Sequence, residues 1–209
     1  MIREILPVGL LGCNCVILGD EASGEAVVVD PGDQADQILL TLARLKLKVV
    51  AILHTHAHID HLGATAALAR ATAAPTYLHV ADRFLHDMLP QQAMLLGISP
   101  IEAQSIDHLL KDNDSVRFGG SELGVMHTPG HSPGSVSLVV AGHDLCLSGD
   151  TLFAGGIGRT DLWGGDFDAI TRSIKDRLYT LNGAVQVIPG HGPQTSIDRE
   201  RRTNGFVRG

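Results

Sequence analysis

Apolar residues fall into two kinds of run along the chain. Short aliphatic and β-branched stretches at 15–18, 26–29 and 49–53 alternate with segments whose apolar positions recur three and four apart. Strands alternating with amphipathic helices predict an α/β domain. Asp30-Pro31-Gly32 closes the second strand, and Ile38, Leu39, Leu42 and Leu45 then keep helical spacing, which predicts a helix over 33–45. The strand at 49–53 stops at a histidine-rich loop, after which an alanine-rich helix over 64–72 and a strand over 76–80 are expected. Residues 81–114 are the least regular, with Pro90 and Pro100 as breaks, and short helices are expected there. Strands follow at 123–128, 135–140 and 145–148. Ile170, Ile174, Leu178 and Leu181 predict a helix over 168–181, and a last strand at 185–188 leads into Pro189-Gly190-His191-Gly192-Pro193 and a charged tail. Without a linker or repeat, the 209 residues suit one domain over 1–209.

Composition narrows the function. The chain is 44% hydrophobic and 19% charged, as in ordinary globular proteins. A net charge of -7 without a run of Lys or Arg argues against a nucleic-acid partner and favours a small-molecule one. No apolar stretch is long enough to span a bilayer, and no basic segment leads into one, so no membrane role is expected and a cytoplasmic location is. Three cysteines, Cys13, Cys15 and Cys146, are too few and too odd in number for a disulfide framework. Cys13 and Cys15 share one strand face and read as core residues rather than as a metal clip.

The chemistry is concentrated in His56-x-His58-x-Asp60-His61, four metal-ligand types within six positions directly after a buried strand. Such a cluster is self-repulsive when protonated and is stabilised by a divalent cation. His131 in Pro129-Gly130-His131, Asp150 in Ser148-Gly149-Asp150 and His191 in Gly190-His191-Gly192 lie just past further predicted strands. Loops at strand ends can bring such distant residues to one sheet edge. Five histidines and two aspartates exceed what one tetrahedral zinc with an open position needs. They suit two metals sharing a carboxylate and a water.

This combination resembles the metallo-β-lactamase superfamily, whose members share the HxHxDH loop, the downstream His, the Asp after Ser-Gly and the final Gly-His. The resemblance implies a four-layer αβ/βα sandwich. It places His56, His58 and His131 on a first metal and Asp60, His61 and His191 on a second, with Asp150 bridging. Zinc is the expected metal, with iron and manganese as alternatives, since His and Asp suit all three. The stretch from Gly149 to Asp161 is similar to the glyoxalase II (hydroxyacylglutathione hydrolase) branch, in its short bacterial form. Hydrolysis of a thioester such as S-lactoylglutathione by a metal-bound hydroxide is thereby implied. Asp60 would ligate, or ligate and also orient the hydroxide. Arg159 aligns with a basic residue near the substrate in that branch, whereas Asp161 stands where an aromatic hydroxyl is usual. An acid there suits a glutathione thioester only if it pairs with Arg159. The C-terminal helical region by which full-length glyoxalase II enzymes contact glutathione is not expected after His191. True β-lactamases of the fold generally carry Cys at the bridging position, which sets antibiotic hydrolysis aside.

Three alternatives stay open. The Gly158-Arg159-Thr160-Asp161 stretch also resembles the persulfide dioxygenases, which use one iron held by two His and one Asp. The others are hydrolysis of another ester or lactone, and a metal-binding domain without turnover. His54, His79, His86, His108, His127 and His143 are expected at the surface or behind the ligands. Gly155-Gly156-x-Gly158 lacks the Lys-Ser/Thr of a nucleotide loop and reads as a turn. Arg201 and Arg202 are expected to cover a short terminal helix, and the oligomeric state is not legible.

Overall fold

The computed structural model describes residues 1–209. Its first sheet opens with an edge strand that the apolar pattern did not announce, β1 (Ile2–Val8), antiparallel to β2 (Cys13–Gly19). β1 is only half-buried and carries Pro7, a residue confined to edges of a sheet because it cannot donate to a second neighbour. β3 (Glu25–Val29) is antiparallel to β2. β4 (Lys48–Leu53), β5 (Thr76–His79) and β6 (His108–Leu110) then extend the sheet in parallel, in the order β1-β2-β3-β4-β5-β6. Parallel neighbours require long crossovers, supplied by α1 (Ala35–Leu45) and α2 (Thr65–Thr72).

The second sheet begins with a hairpin, β7 (Ser115–Phe118) and β8 (Ser121–His127), turned by Gly119-Gly120. β9 (Val136–Val140) and β10 (Leu145–Gly149) continue it antiparallel. A small hairpin of β11 (Leu152–Phe153) and β12 (Gly156–Ile157) leaves the sheet before β13 (Gln186–Pro189) joins β10 in parallel and β14 (Thr195–Ser196) closes the edge. α3 (Arg83–Asp87) and α4 (Leu89–Leu96) occupy the irregular middle as expected, although β6 was not foreseen there.

Alternation along β2 and β3 explains the layering. Val16, Leu18, Val27 and Val29 face the second sheet and join Leu123, Leu138, Leu147 and Ile188 in an inter-sheet core. Cys15, Ile17, Ala26 and Val28 point the other way, against Ile38, Leu42 and Leu68 of α1 and α2. On the outer face of the second sheet, Cys146 and Val187 meet Ile170, Ile174 and Ile197. Helix, sheet, sheet, helix is the four-layer αβ/βα sandwich expected, and strands covered on both faces read as unbroken apolar runs.

Two predicted helices are trimmed. The first starts at Ala35, not 33, because the Asp33 carboxylate accepts from the backbone N–H of Gln34 at 2.6 Å and Gln34 is left-handed (φ 55°). The helix predicted over 168–181 is α5 (Phe167–Asp176), capped by the Asp166 carboxylate on the N–H of Ala169 at 2.8 Å. Arg177 leaves helical geometry, its guanidinium held by Asp112 at 2.9 and 3.2 Å, and a single 3-10 turn over Leu178–Thr180 follows. The tail forms α6 (Ile197–Thr203), where Arg202 is exposed but Arg201 donates to the carbonyls of Tyr179 and Leu181 rather than only covering the surface. No helix is long and apolar enough to cross a membrane.

Candidate metal centre

The loops that carry the seven expected ligands leave strands at one edge of the sandwich: 54–61 after β4, 128–135 after β8, 150 after β10 and 190–192 after β13. There the donors converge. His56, His58 and His131 present ligand atoms within 4.8 Å of one another, as do Asp60, His61 and His191, and as do His56, His61 and Asp150. Asp150 stands between the sets: its Oδ1 is 3.6 Å from His61 Nε2 and its Oδ2 is 3.6 Å from His131 Nε2. Asp60 Oδ2 lies 3.2 Å from His191 Nε2.

Second contacts decide which nitrogen each ring offers. His131 Nδ1 donates to the carbonyl of Arg159 at 2.8 Å and His191 Nδ1 to that of Leu11 at 3.0 Å, so both turn Nε2 inward. His61 Nδ1 is 3.1 Å from Asp30 Oδ2. The Thr55 hydroxyl donates to that same oxygen at 2.7 Å and accepts from His56 Nδ1 at 3.1 Å, leaving His56 Nε2 for the cluster. His58 is turned the other way, with Nδ1 2.8 Å from His131 Nε2.

Two of the atoms turned into the cluster are buried without a partner of their own, His56 Nε2 and Asp150 Oδ1. Buried polar atoms are normally paired, and unpaired nitrogens and carboxylate oxygens facing one another are what a divalent cation satisfies. The donor set therefore fits a pair of such ions. The protonation states of His56 and His58 agree with this. Burial, reinforced by the neighbouring His61 and His131, holds His56 well below the ordinary imidazole range, and burial with His131 beside it lowers His58 to about 3, so both stay neutral with a lone pair free. Burial opposes charge on His61 too, but the carboxylates of Asp60, Asp30 and Asp150 around it outweigh it and raise its pKa, so a cation binding there displaces its proton. Burial would raise Asp60, yet His61 and His191 hold it below the usual carboxylate range.

Four residues not singled out in the sequence support the cluster. Asp30, at φ 51°, binds the N–H of Thr55 at 2.7 Å besides orienting His61 and, through Thr55, His56. Asp82 accepts from the N–H of Ala57 at 3.0 Å, the Ser132 hydroxyl at 2.7 Å and the N–H of Gly134 at 2.5 Å, tying the His56–His58 loop to the His131 loop. Asn14 donates to the carbonyls of Pro189 and Gly192 at 2.9 Å each, which brackets His191. Gly190 passes so close that a Cβ there would overlap the Asp150 carboxylate.

Of the remaining histidines, His108 and His143 are exposed and His54 lies behind the ligands, as expected, whereas His79 is buried away from the cluster. His54 is fully buried, its Nε2 3.4 Å from the Thr65 hydroxyl, and its ring lies against the His61 backbone. His127 Nε2 donates to the Pro133 carbonyl, 2.8 Å away, and its ring stacks on the buried His79 with centroids 4.2 Å apart. Cys13 is core, as expected, and its Sγ also lies 3.4 Å from His61 Nδ1. Burial pushes the Cys13 thiol up to about 11 and Cys146 to about 12, so neither is a thiolate at neutral pH.

A cavity of about 630 Å³ opens over the cluster. His58, Asp60, His131, Asp150 and His191 form its floor, while Leu95, Leu96, Phe153, Leu162 and Trp163 are among its apolar walls. Arg159 is on the rim, its guanidinium bound bidentately by Asp161 at 2.7 and 2.8 Å.

Residues 8–191 match the metallo-beta-lactamase superfamily, and the chain belongs to it. Most of that superfamily are metal-dependent hydrolases, and its members bind divalent metals. The hydroxyacylglutathione hydrolase GloC of Haemophilus influenzae is 34% identical over 98% of this chain and 97% of its own. Among solved structures, BLEG-1, a B3 metallo-beta-lactamase, superposes over the whole of both chains with a TM-score of 0.93 at 39% identity. ETHE1 from Myxococcus xanthus gives 0.84 at 31% identity, covering 99% of this chain and 84% of its own. TTHA1623 in a di-iron-bound form gives 0.88 at 36% identity, covering 98% of this chain and 100% of its own.

Proposed function

We propose that the chain, as one domain, is a binuclear-metal hydrolase of glyoxalase II type that cleaves a small-molecule thioester such as S-lactoylglutathione in the cytoplasm. The observation that carries this reading is Asp150, whose carboxylate lies 3.6 Å from His131 of one histidine set and 3.6 and 3.7 Å from His61 and His191 of the other. His56, His58 and His131 would hold one ion, Asp60, His61 and His191 the other, and Asp150 both, with zinc as the metal. Two iron ions are an alternative, given the di-iron form of TTHA1623.

Bound there, two divalent ions supply a water that ionises near neutral pH and a Lewis acid for the substrate carbonyl. The protein does the positioning. Rings locked by Asp30, Thr55 and the Arg159 and Leu11 carbonyls need no reorganisation when substrate arrives. Asp60, on the cavity floor, would ligate the second ion and orient the attacking water. In the overall reaction a C–O bond forms, the C–S bond breaks, and water supplies the hydroxyl of the acid and the proton of the thiol. A thiol of pKa about 8.5 departs as thiolate without help, whereas an amide nitrogen must be protonated as it leaves. The only carboxylates in the cavity are Asp60 and Asp150, both in the cluster. That favours thioester over β-lactam cleavage, the competing reading to which similarity with BLEG-1 points.

A second reading, a one-iron persulfide dioxygenase, is favoured by the similarity to ETHE1. One preparation separates the three: purified enzyme is assayed for thiol release from S-lactoylglutathione, for hydrolysis of a chromogenic cephalosporin and for oxygen uptake with glutathione persulfide. Thiol release that disappears in Asp150→Ala supports the hydrolase. Oxygen uptake without thiol release replaces it with the dioxygenase, and cephalosporin hydrolysis alone replaces it with the β-lactamase.

A further inference from the structure

The cavity over the cluster does not end at its own rim. A second cavity of about 410 Å³ shares Leu11, Ile59, Asp60 and Leu96 with it and runs on between Leu10, Ile98 and Ile101. One end of this groove is therefore an expected metal ligand, and its walls are aliphatic. Leu10 is 90% exposed and Leu96 48%, both held open at the mouth by the loop before β2 and the end of α4.

Charge decides what that ligand is. The groove has no Lys or Arg; its charged members are Asp33 and Asp60. In the cavity above the cluster the one basic side chain outside the histidines is Arg159, already neutralised by Asp161. Neither wall offers a free cation to the carboxylates of a peptide-like thiol.

We infer that the groove from Asp60 past Leu11 and Leu96 to Ile98 and Ile101 receives an unbranched apolar chain of the substrate, so that the preferred thioester carries an alkyl arm rather than a small polar acyl group alone. The chain is borne either by the acyl group or by the thiol; both present the same chemistry to the groove. The inference rests on the reading of the cluster as a site for a carbonyl substrate.

The test separates failure of that reading from failure of the inference. Straight-chain alkanoates from two to ten carbons are titrated into the metal-loaded protein by calorimetry, with Trp163, the single tryptophan and a cavity wall, as a fluorescent reporter. Affinity is expected to rise about two- to fourfold per methylene as each leaves water. Leu10→Asp and Ile98→Asp, at exposed positions, flatten that rise. A series as flat in the wild type as in the variants overturns the inference whether or not any thioester is turned over. A chain-length-independent series accompanied by a dimer that Leu10→Asp dissociates overturns it in favour of a second copy on this face. In parallel, kcat/KM is measured with the acyl group lengthened on a constant thiol and with the thiol lengthened on a constant acyl group. A rise in the first series assigns the groove to the acyl arm, and a rise in the second assigns it to the thiol. Absence of all turnover removes the thioester reading, while the alkanoate titration still decides the groove.

Discussion

Asp30 Oδ2 lies 3.1 Å from His61 Nδ1, from the end of a different strand and 31 positions earlier in sequence. The same carboxylate reaches His56 through the Thr55 hydroxyl, so one buried acid fixes a ring in each half of the cluster. Asp30→Asn keeps the size but removes the charge that opposes His61 rotation. We expect metal affinity about 10- to 100-fold weaker, measured by competition with a chromogenic chelator. Unchanged affinity would show that His61 is positioned without Asp30.

Asp82 binds no expected ligand yet takes three hydrogen bonds from the two loops that carry His56, His58 and His131. Asp82→Ala leaves two buried N–H groups and a hydroxyl to be re-satisfied. Unfolding in urea should show a loss of about 3 kcal/mol. Loss below about 1 kcal/mol would mean that the loops keep their geometry by packing alone.

The stack of His79 on His127 gives a pH dependence with a defined sign. Burial, followed by His127, lowers the His79 pKa to about 4, from about 6.5 in an unfolded chain. The neutral ring is favoured in the folded state, so its contribution is complete above about pH 6.5 and is lost as the pH falls towards 4. Between pH 7 and pH 4.5 the wild-type protein should lose more stability than His79→Phe in paired urea titrations. Parallel curves for the two proteins would contradict this.

Arg159 and Asp161 form an exposed pair that withholds the cavity's cation from substrate. Asp161→Asn should free the guanidinium and lower KM for S-lactoylglutathione about two- to fivefold with little change in kcat. No change in KM would place Arg159 outside the reach of the thiol's carboxylates.

Much of the architecture was legible because it is written in period. The strands of both sheets that are covered on two faces announced themselves as apolar runs, and the seven candidate ligands stood out because His, Asp and Gly are crowded at strand ends. β1 escaped because a half-exposed edge strand with Arg3, Glu4 and Pro7 has no clean alternation. β7 escaped although Gly119-Gly120 between two short apolar runs was an available hairpin signal. Asp30, Asp82 and Asn14 were illegible for another reason. Each is a single common residue whose meaning comes from a partner brought close by folding, 175 positions away in the case of Asn14 and Pro189. The Asp30-Pro31-Gly32 turn was visible, but a turn does not say which way its carboxylate points.

The central claim is that Asp150 joins two metal positions. Metal-free protein titrated with zinc, with stoichiometry by elemental analysis, tests it most directly. The account predicts two ions per wild-type chain and no more than one tightly held ion in Asp150→Ala; a single ion in the wild type, or two in the variant with undiminished affinity, would contradict it.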